Sequence, residues 1–319
     1  MRPRPWWRRT TPPPDWPLRE VSAVDTGVLG RLGVVSDEIH PDPEEAFAAA
    51  RDWGLVAVDL NRVWGQPVTD LDAPGVARLA SLCERYALRV ILVGGLPFKG
   101  LALAGRTPRQ LVTGADFAAD LALLERSLAI ARDLGAPLAR VHGFAWPANT
   151  PQRRLDGGEV AAGDLATAAA GLRLACERAE RYGVALGLEN VRACHANSGR
   201  NTRALLDAVA HPLLTAVWDP ANAYASGEQE PFPSGYAAVR PYLRHVHLKG
   251  VRTTDGGTVW ERLSLGAVDC VGQLRALRAN GYDGVVCLET HWRLEGRPAL
   301  DATRLCLEDL RAAAAAAGA

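Results

Sequence analysis

From Arg31 onward, short apolar runs alternate with stretches of helical periodicity. The runs fall at residues 32–36, 55–60, 88–93, 138–142, 184–189, 214–219, 243–249 and 285–289. Each has the length of a strand buried on both faces. Gly54, Gly135, Gly183 and Gly284 stand just before four of them, as where a helix ends and the chain turns into a strand. Residues 115–134 and 164–182 carry apolar side chains at helical spacing on one face. Strands alternating with helices predict a parallel sheet, and eight strands are the number that closes a TIM barrel. The pattern therefore predicts an α/β chain: a single (β/α)8 TIM barrel over residues 31–319 behind an N-terminal tail, residues 1–30. An open doubly wound sheet is the alternative. No Gly-rich dinucleotide fingerprint follows the first run, where such a sheet would carry it.

The C-terminal ends of the runs break the apolar rule repeatedly. They read Ser36-Asp37-Glu38, Asp59-Leu-Asn61-Arg62, Arg140-Val-His142, Glu189-Asn190, Asp219-Pro-Ala-Asn222, His245-Val-His247-Leu-Lys249 and Glu289-Thr-His291-Trp292. In a TIM barrel these positions converge on one mouth, where active sites are built. Glu189, Asp219, His247 and Glu289 end four successive runs, the fifth to the eighth. Converging carboxylates raise one another's pKa, and a divalent cation resolves that repulsion. Three carboxylates and one imidazole suit Mn2+, Mg2+ or Co2+ better than a thiolate-seeking ion. The structural alternative is ion pairing to Arg140, Lys249 or Arg252.

His245, His247 and Lys249 share one face of their strand at period two. With His247 as a ligand, His245 lies one layer deeper, behind the ligands or in the core, and Lys249 lies nearer solvent. There its ammonium can hold a substrate hydroxyl, carboxylate or phosphate. Arg140 and His142 share a face in the same way, as do Glu289 and His291. His142 either polarises a substrate oxygen or satisfies a buried hydrogen bond. His40, His195 and His211 fall in expected loops or helix ends. Trp64, Trp146, Trp218 and Trp292 follow strand ends, and Trp260 falls in the loop after the seventh strand. Their rings suit stacking on sugar C–H faces, or ordinary packing.

Composition narrows the classes. The chain has 319 residues, 48% hydrophobic and 23% charged, as an ordinary globular protein does. Lys+Arg and Asp+Glu are equal at 36 each, which argues against binding nucleic acid through phosphates. Cys83, Cys176, Cys194, Cys270, Cys287 and Cys306 form no CxxC pair. They read as buried reduced thiols of a cytoplasmic protein rather than as a catalytic or zinc site. The tail is rich in Pro, Arg and Trp and aperiodic. We expect it to be partly disordered or packed on the outside, with Trp6, Trp7 and Trp16 as anchors to the barrel or to another subunit. Its basic start runs into Pro12-Pro13-Pro14, unlike a secretory signal. No apolar stretch reaches the length of a membrane helix.

The chain resembles the sugar phosphate isomerase/epimerase family, the xylose isomerase-like TIM barrels. The resemblance rests on Leu32-Gly-Val-Val-Ser-Asp-Glu-Ile39, Gly187-Leu-Glu-Asn190, Trp218-Asp-Pro-Ala-Asn-Ala223, His245-Val-His-Leu-Lys249 and Leu288-Glu-Thr-His-Trp-Arg293, and spans roughly residues 31 to 310. It implies one divalent metal on Glu189, Asp219, His247 and Glu289, with Glu189 and Glu289 as proton carriers flanking a carbohydrate. Three departures touch the substrate more than the metal. Asn222 stands where many relatives have His, Gly250 where many have Asp, and Asp59 where Glu is frequent.

The implied activity is a keto-sugar isomerase or epimerase, working by proton transfer through a metal-stabilised enediolate. Arg140, His142, Asn222, Lys249, His291 and Trp146 are its candidate substrate contacts. A lyase on the same site, dehydrating an inosose or cleaving a C-glycoside, is the runner-up. An apurinic endonuclease would need a multi-zinc cluster and a basic face, against only seven histidines and zero net charge. A non-catalytic subunit would not need the complete ligand set. A homo-oligomer is compatible with the sequence.

Overall fold

The structure is a computed structural model that describes residues 28–147 and 158–318. Trp6, Trp7 and Trp16, and with them the expectations for the tail, lie outside the described residues. Eight parallel strands close a barrel in which every strand pairs with its neighbours in sequence and the last pairs with the first. They are β1 (Leu32–Val35), β2 (Ala57–Leu60), β3 (Arg89–Val93), β4 (Leu138–His142), β5 (Ala185–Glu189), β6 (Leu214–Trp218), β7 (Leu243–Leu248) and β8 (Val286–Leu288). Each expected run holds one of them, β4 over its whole length and the others trimmed by a residue or two at one or both ends. The open-sheet alternative is set aside by the closure between β1 and β8, which pair at Leu32 with Val286 and Val34 with Leu288.

The outer layer is α1 (Pro43–Asp52), α2 (Ala73–Tyr86), α3 (Ala115–Asp133), α4 (Ala162–Tyr182), α5 (Gly199–Val209), α6 (Cys270–Ala279) and α7 (Ala299–Ala317). Between β6 and β7 the helical layer is reduced to short pieces, Pro220–Ala225 and Tyr236–Val239. Local sequence accounts for the ends. Asp42, Asp72, Ser198 and Asp269 cap helix N-termini by accepting hydrogen bonds from backbone N–H groups. Gly183 ends α4 at φ +66°, a conformation that costs glycine little, and β5 starts two residues later. No helix among the described residues is long and apolar enough to cross a membrane.

Period two divides each strand between the helical layer and the barrel interior. Leu92, Leu138 and Val217 pack together in one small interior cluster, and Ala57, Ile91, Val285 and Cys287 in another. Two residues further along the same faces come His142 after Arg140, Glu189 after Gly187, Asp219 after Val217 and Glu289 after Cys287. The apolar floor thus gives way to polar side chains at the C-terminal mouth. Trp218 takes the opposite face. It is fully buried and its indole N–H donates to Gln273 of α6 at 3.1 Å. Of the two roles left open for it, Trp218 has ordinary packing.

Candidate active site

Glu189, Asp219, His247 and Glu289 meet at the mouth, with one ligand atom of each within 4.8 Å of all the others. All four are buried. The backbone holds them in step. Asn190, just beyond β5, donates from its amide to the Asp219 carbonyl at 2.7 Å and accepts the Asp219 N–H at 2.9 Å. Asp219 then spends Oδ1 on the Asn222 N–H at 2.8 Å, capping the short helix Pro220–Ala225. Its Oδ2 is turned to the cluster.

Each carboxylate has a basic partner. Arg140 donates to Glu189 Oε2 at 3.0 Å and, from its other terminal nitrogen, to Asn61 at 2.8 Å. His142 Nε2 lies 3.7 Å from the same Glu189 oxygen, while its Nδ1 faces the Pro97 carbonyl at 3.3 Å. Lys249 lies 2.7 Å from Asp219 Oδ2 and hydrogen-bonds to Glu289. It is 3% exposed, so although it stands beyond His247 towards the mouth it is buried, not open to solvent as its position on the strand suggested. His291 Nε2 stands 3.6 Å from both Glu289 and Glu38, and Arg293 donates to Glu38 at 2.6 Å. The ion pairs to Arg140 and Lys249 weighed as a structural alternative are thus present within the cluster. Arg252, itself exposed, pairs instead with half-buried Glu261.

The charges are set by that wiring. Burial opposes ionisation of Glu189, but Arg140, His142 and His247 outweigh it and hold its carboxyl well below the usual range. Burial likewise opposes Glu289, and Lys249, His291 and His247 hold it low. For Asp219 burial wins: with Glu289 and Glu189 nearby, its pKa rises despite Lys249. Burial also opposes the charged form of His247, yet Asp59, Glu189 and Glu289 raise its pKa to about 10. His142 shifts the other way, because burial dominates it.

One buried atom tests whether these residues suit a cation. Asp219 Oδ2 has no well-directed hydrogen bond among the described residues, although the Lys249 ammonium is close. The ammonium offsets the burial of this oxygen in the metal-free chain, and a divalent cation would satisfy it in the same way. Oxygen ligands plus one imidazole fit a hard or borderline divalent ion.

Residues 47–312 match the family model described as the xylose isomerase-like TIM barrel. The chain belongs to that family. Its barrel is shared by solved structures of low identity. D-psicose 3-epimerase with D-tagatose from Clostridium cellulolyticum H10 is 15% identical, with a TM-score of 0.65 over 89% of this chain and 99% of that one. A xylose isomerase-like TIM barrel protein from Mycobacterium smegmatis in complex with magnesium is 16% identical, with a TM-score of 0.63 over 90% and 97%. The probable 3-DHS dehydratase AsbF from Bacillus anthracis is 14% identical, with a TM-score of 0.60 over 88% and 97%. No curated protein matches the sequence. At these identities the likenesses show the fold of this family member, not its reaction.

The remaining expected residues divide. Asn222 is buried at the head of the short helix that Asp219 caps. Trp146 is buried against the His195 ring, 3.9 Å between centroids. His195 is fully buried, with Nδ1 3.1 Å from the Phe144 carbonyl. It is therefore part of the wall behind the mouth, which its loop position did not suggest. Two sets of contacts were not foreseen. A hairpin, Gly250–Thr254 paired with Gly257–Glu261, rises from the end of β7. It puts the Trp260 ring 5.1 Å from Lys249 Nζ and edge-on to His291 at 4.9 Å. Asp59 is fully buried and hydrogen-bonded to both histidines of β7. An acidic residue inside the apolar run Ala57-Val-Asp-Leu60 was the available signal.

Proposed function

We propose that the chain is a divalent-metal-dependent keto-sugar epimerase or isomerase. The observation that carries the reading is the convergence of Glu189, Asp219, His247 and Glu289 from four successive strand ends into one ligand-sized cluster. These residues would hold one Mn2+, Mg2+ or Co2+, which supplies Lewis-acid polarisation of a substrate carbonyl. The chain's own groups do the rest. A carbon acid beside a carbonyl needs a base on one face and a proton donor on the other. Glu189 and Glu289 are the two carboxylates available, and their wiring differs. Arg140 fixes Glu189 and keeps it ionised, ready to accept a proton. Glu289 lies between Lys249 and His291, so a proton taken there can be passed on or returned. Arg140, His142, Asn222, Lys249, His291 and Trp146 supply polar or flat surface to orient substrate hydroxyls. We place the protein in the cytoplasm, in keeping with six unpaired thiols.

The test is a ketose panel with Mn2+, read by product chromatography and by solvent deuterium uptake. Glu189→Gln should abolish turnover while circular dichroism and melting stay as in wild type. A variant that keeps most of its activity would remove Glu189 from the mechanism. A dehydratase is the second reading, favoured by Lys249. Its ammonium lies against Glu289 and Asp219, where it can hydrogen-bond to a departing hydroxyl and stabilise its charge. Loss of water and growth of ultraviolet absorbance would select it over epimerisation, which leaves the formula unchanged.

A further inference from the structure

Asp59 stands outside the ligand cluster, yet it touches the one imidazole in it. We propose that Asp59 is a positioning residue of the metal centre, fixing the proton of His247 on Nε2 so that Nδ1 is presented to the cation. The inference rests on the metal-dependent reading above and adds a residue to it.

The geometry carries the argument. Asp59 Oδ2 lies 2.9 Å from His247 Nε2 and 2.6 Å from His245 Nε2. An ionised carboxylate only accepts, so both Nε2 atoms must be the donors. With Nε2 committed, the coordinating lone pair of His247 is on Nδ1. That atom lies 3.3 Å from Glu189 Oε1 and 3.7 Å from Glu289 Oε2, on the side of the cluster. A carboxylate behind a ligand imidazole fixes its ring and tautomer and raises its basicity.

His245 has a place in the same device. Its ring meets that of His247 edge-on at 5.0 Å and 83°. By sharing Oδ2 it pins the carboxylate from below, while its own Nδ1 has no hydrogen-bond partner among the described residues. Asp59, His245 and His247 could also be read as a second cation site. The distances favour hydrogen bonds. Two ligands each about 2.1 Å from one ion sit about 3 Å or more apart, and the 2.6 Å contact is too short for that.

Mn2+ alone, titrated into the full chain by calorimetry and electron paramagnetic resonance, is the probe. Asp59→Asn keeps the size and removes the charge, and should weaken Mn2+ about 10- to 100-fold with the circular dichroism spectrum retained. Asp309→Asn, which breaks the Arg262–Asp309 pair outside the site, is the control and should leave Mn2+ affinity unchanged. An Asp59→Asn protein that binds Mn2+ within twofold of wild type overturns the proposal. Should that variant not fold, 15N-edited spectra of the wild-type histidines decide. With Mg2+ bound, a proton on His247 Nε2 and none on Nδ1 support the assignment, and the opposite tautomer overturns it. Wild type that binds no divalent ion would instead sink the metal-dependent reading, and the Nε2 proton would still report on Asp59.

Discussion

His247 carries the most information of any single side chain in the site. Its raised pKa, about 10, means that without metal the ring holds a proton that a cation must displace. The sign follows from linkage. A folded-state pKa above the ordinary 6.5 contributes stability that is complete below about 6.5 and is lost as pH climbs through about 10. The metal-free protein should therefore lose stability between those limits. Metal affinity should move the other way, rising up to about tenfold per pH unit across pH 7 to 9, because binding releases the proton. Calorimetry in buffers of different ionisation enthalpy would read about one proton released per Mn2+ bound. Affinity that is flat with pH would mean that His247 is not a ligand.

At the scale of elements, the strands were legible because the barrel needs little beyond period and length. Leu138-Ala-Arg-Val-His142 could be read as a strand carrying two polar residues on its inner face, and both reach Glu189. What could not be read was contact between strands distant in sequence. Nothing local links Asp59 to His245, 186 residues away, and the fragment Gly250-Val-Arg-Thr-Thr254 does not announce that it folds back on Gly257–Glu261. The expectation for Lys249 failed for a related reason: position along a strand gives a height in the barrel but not how far the next hairpin covers it.

Close approach between elements gives a prediction here. A Cβ on Gly94, just after β3, would lie 2.0 Å from Asn61 Oδ1 and 2.9 Å from the Leu60 carbonyl. Asn61 is the second anchor of Arg140. Gly94→Ala should cost about 1–3 kcal/mol of stability from overpacking. By displacing Asn61 it should also lower turnover more than Asp309→Asn does at matched stability. Denaturant melts and steady-state rates on both variants provide the comparison.

For the whole molecule, the ligands matter through the strands they come from. Glu189, Asp219, His247 and Glu289 tie β5, β6, β7 and β8 to one point, so a cation there binds only the closed barrel. Ligand that binds the folded state alone at about 100 times its dissociation constant adds about 2.7 kcal/mol, lowering the open population about 100-fold. The cysteines offer a reporter. Burial pushes Cys83 and Cys306 up to about 11 and Cys194 and Cys270 up to about 12, and raises Cys176 and Cys287 as well. The thiolate is the reactive form, so none should react quickly with a disulfide reagent at pH 8 while the barrel is closed. Cys194 and Cys287 sit near the mouth end and inside the barrel, whereas Cys83 belongs to α2 and Cys306 to α7. If the metal ties the barrel as a unit, saturating Mn2+ should slow labelling of all six to a similar degree. Protection confined to Cys194 and Cys287 would mean that the cation stiffens the mouth without restraining the helical layer. Glu189→Gln, which weakens the ligand set, should then label at nearly the metal-free rate at every cysteine but Cys194 even when Mn2+ is present, since the Glu189 charge helps to push the Cys194 thiol up.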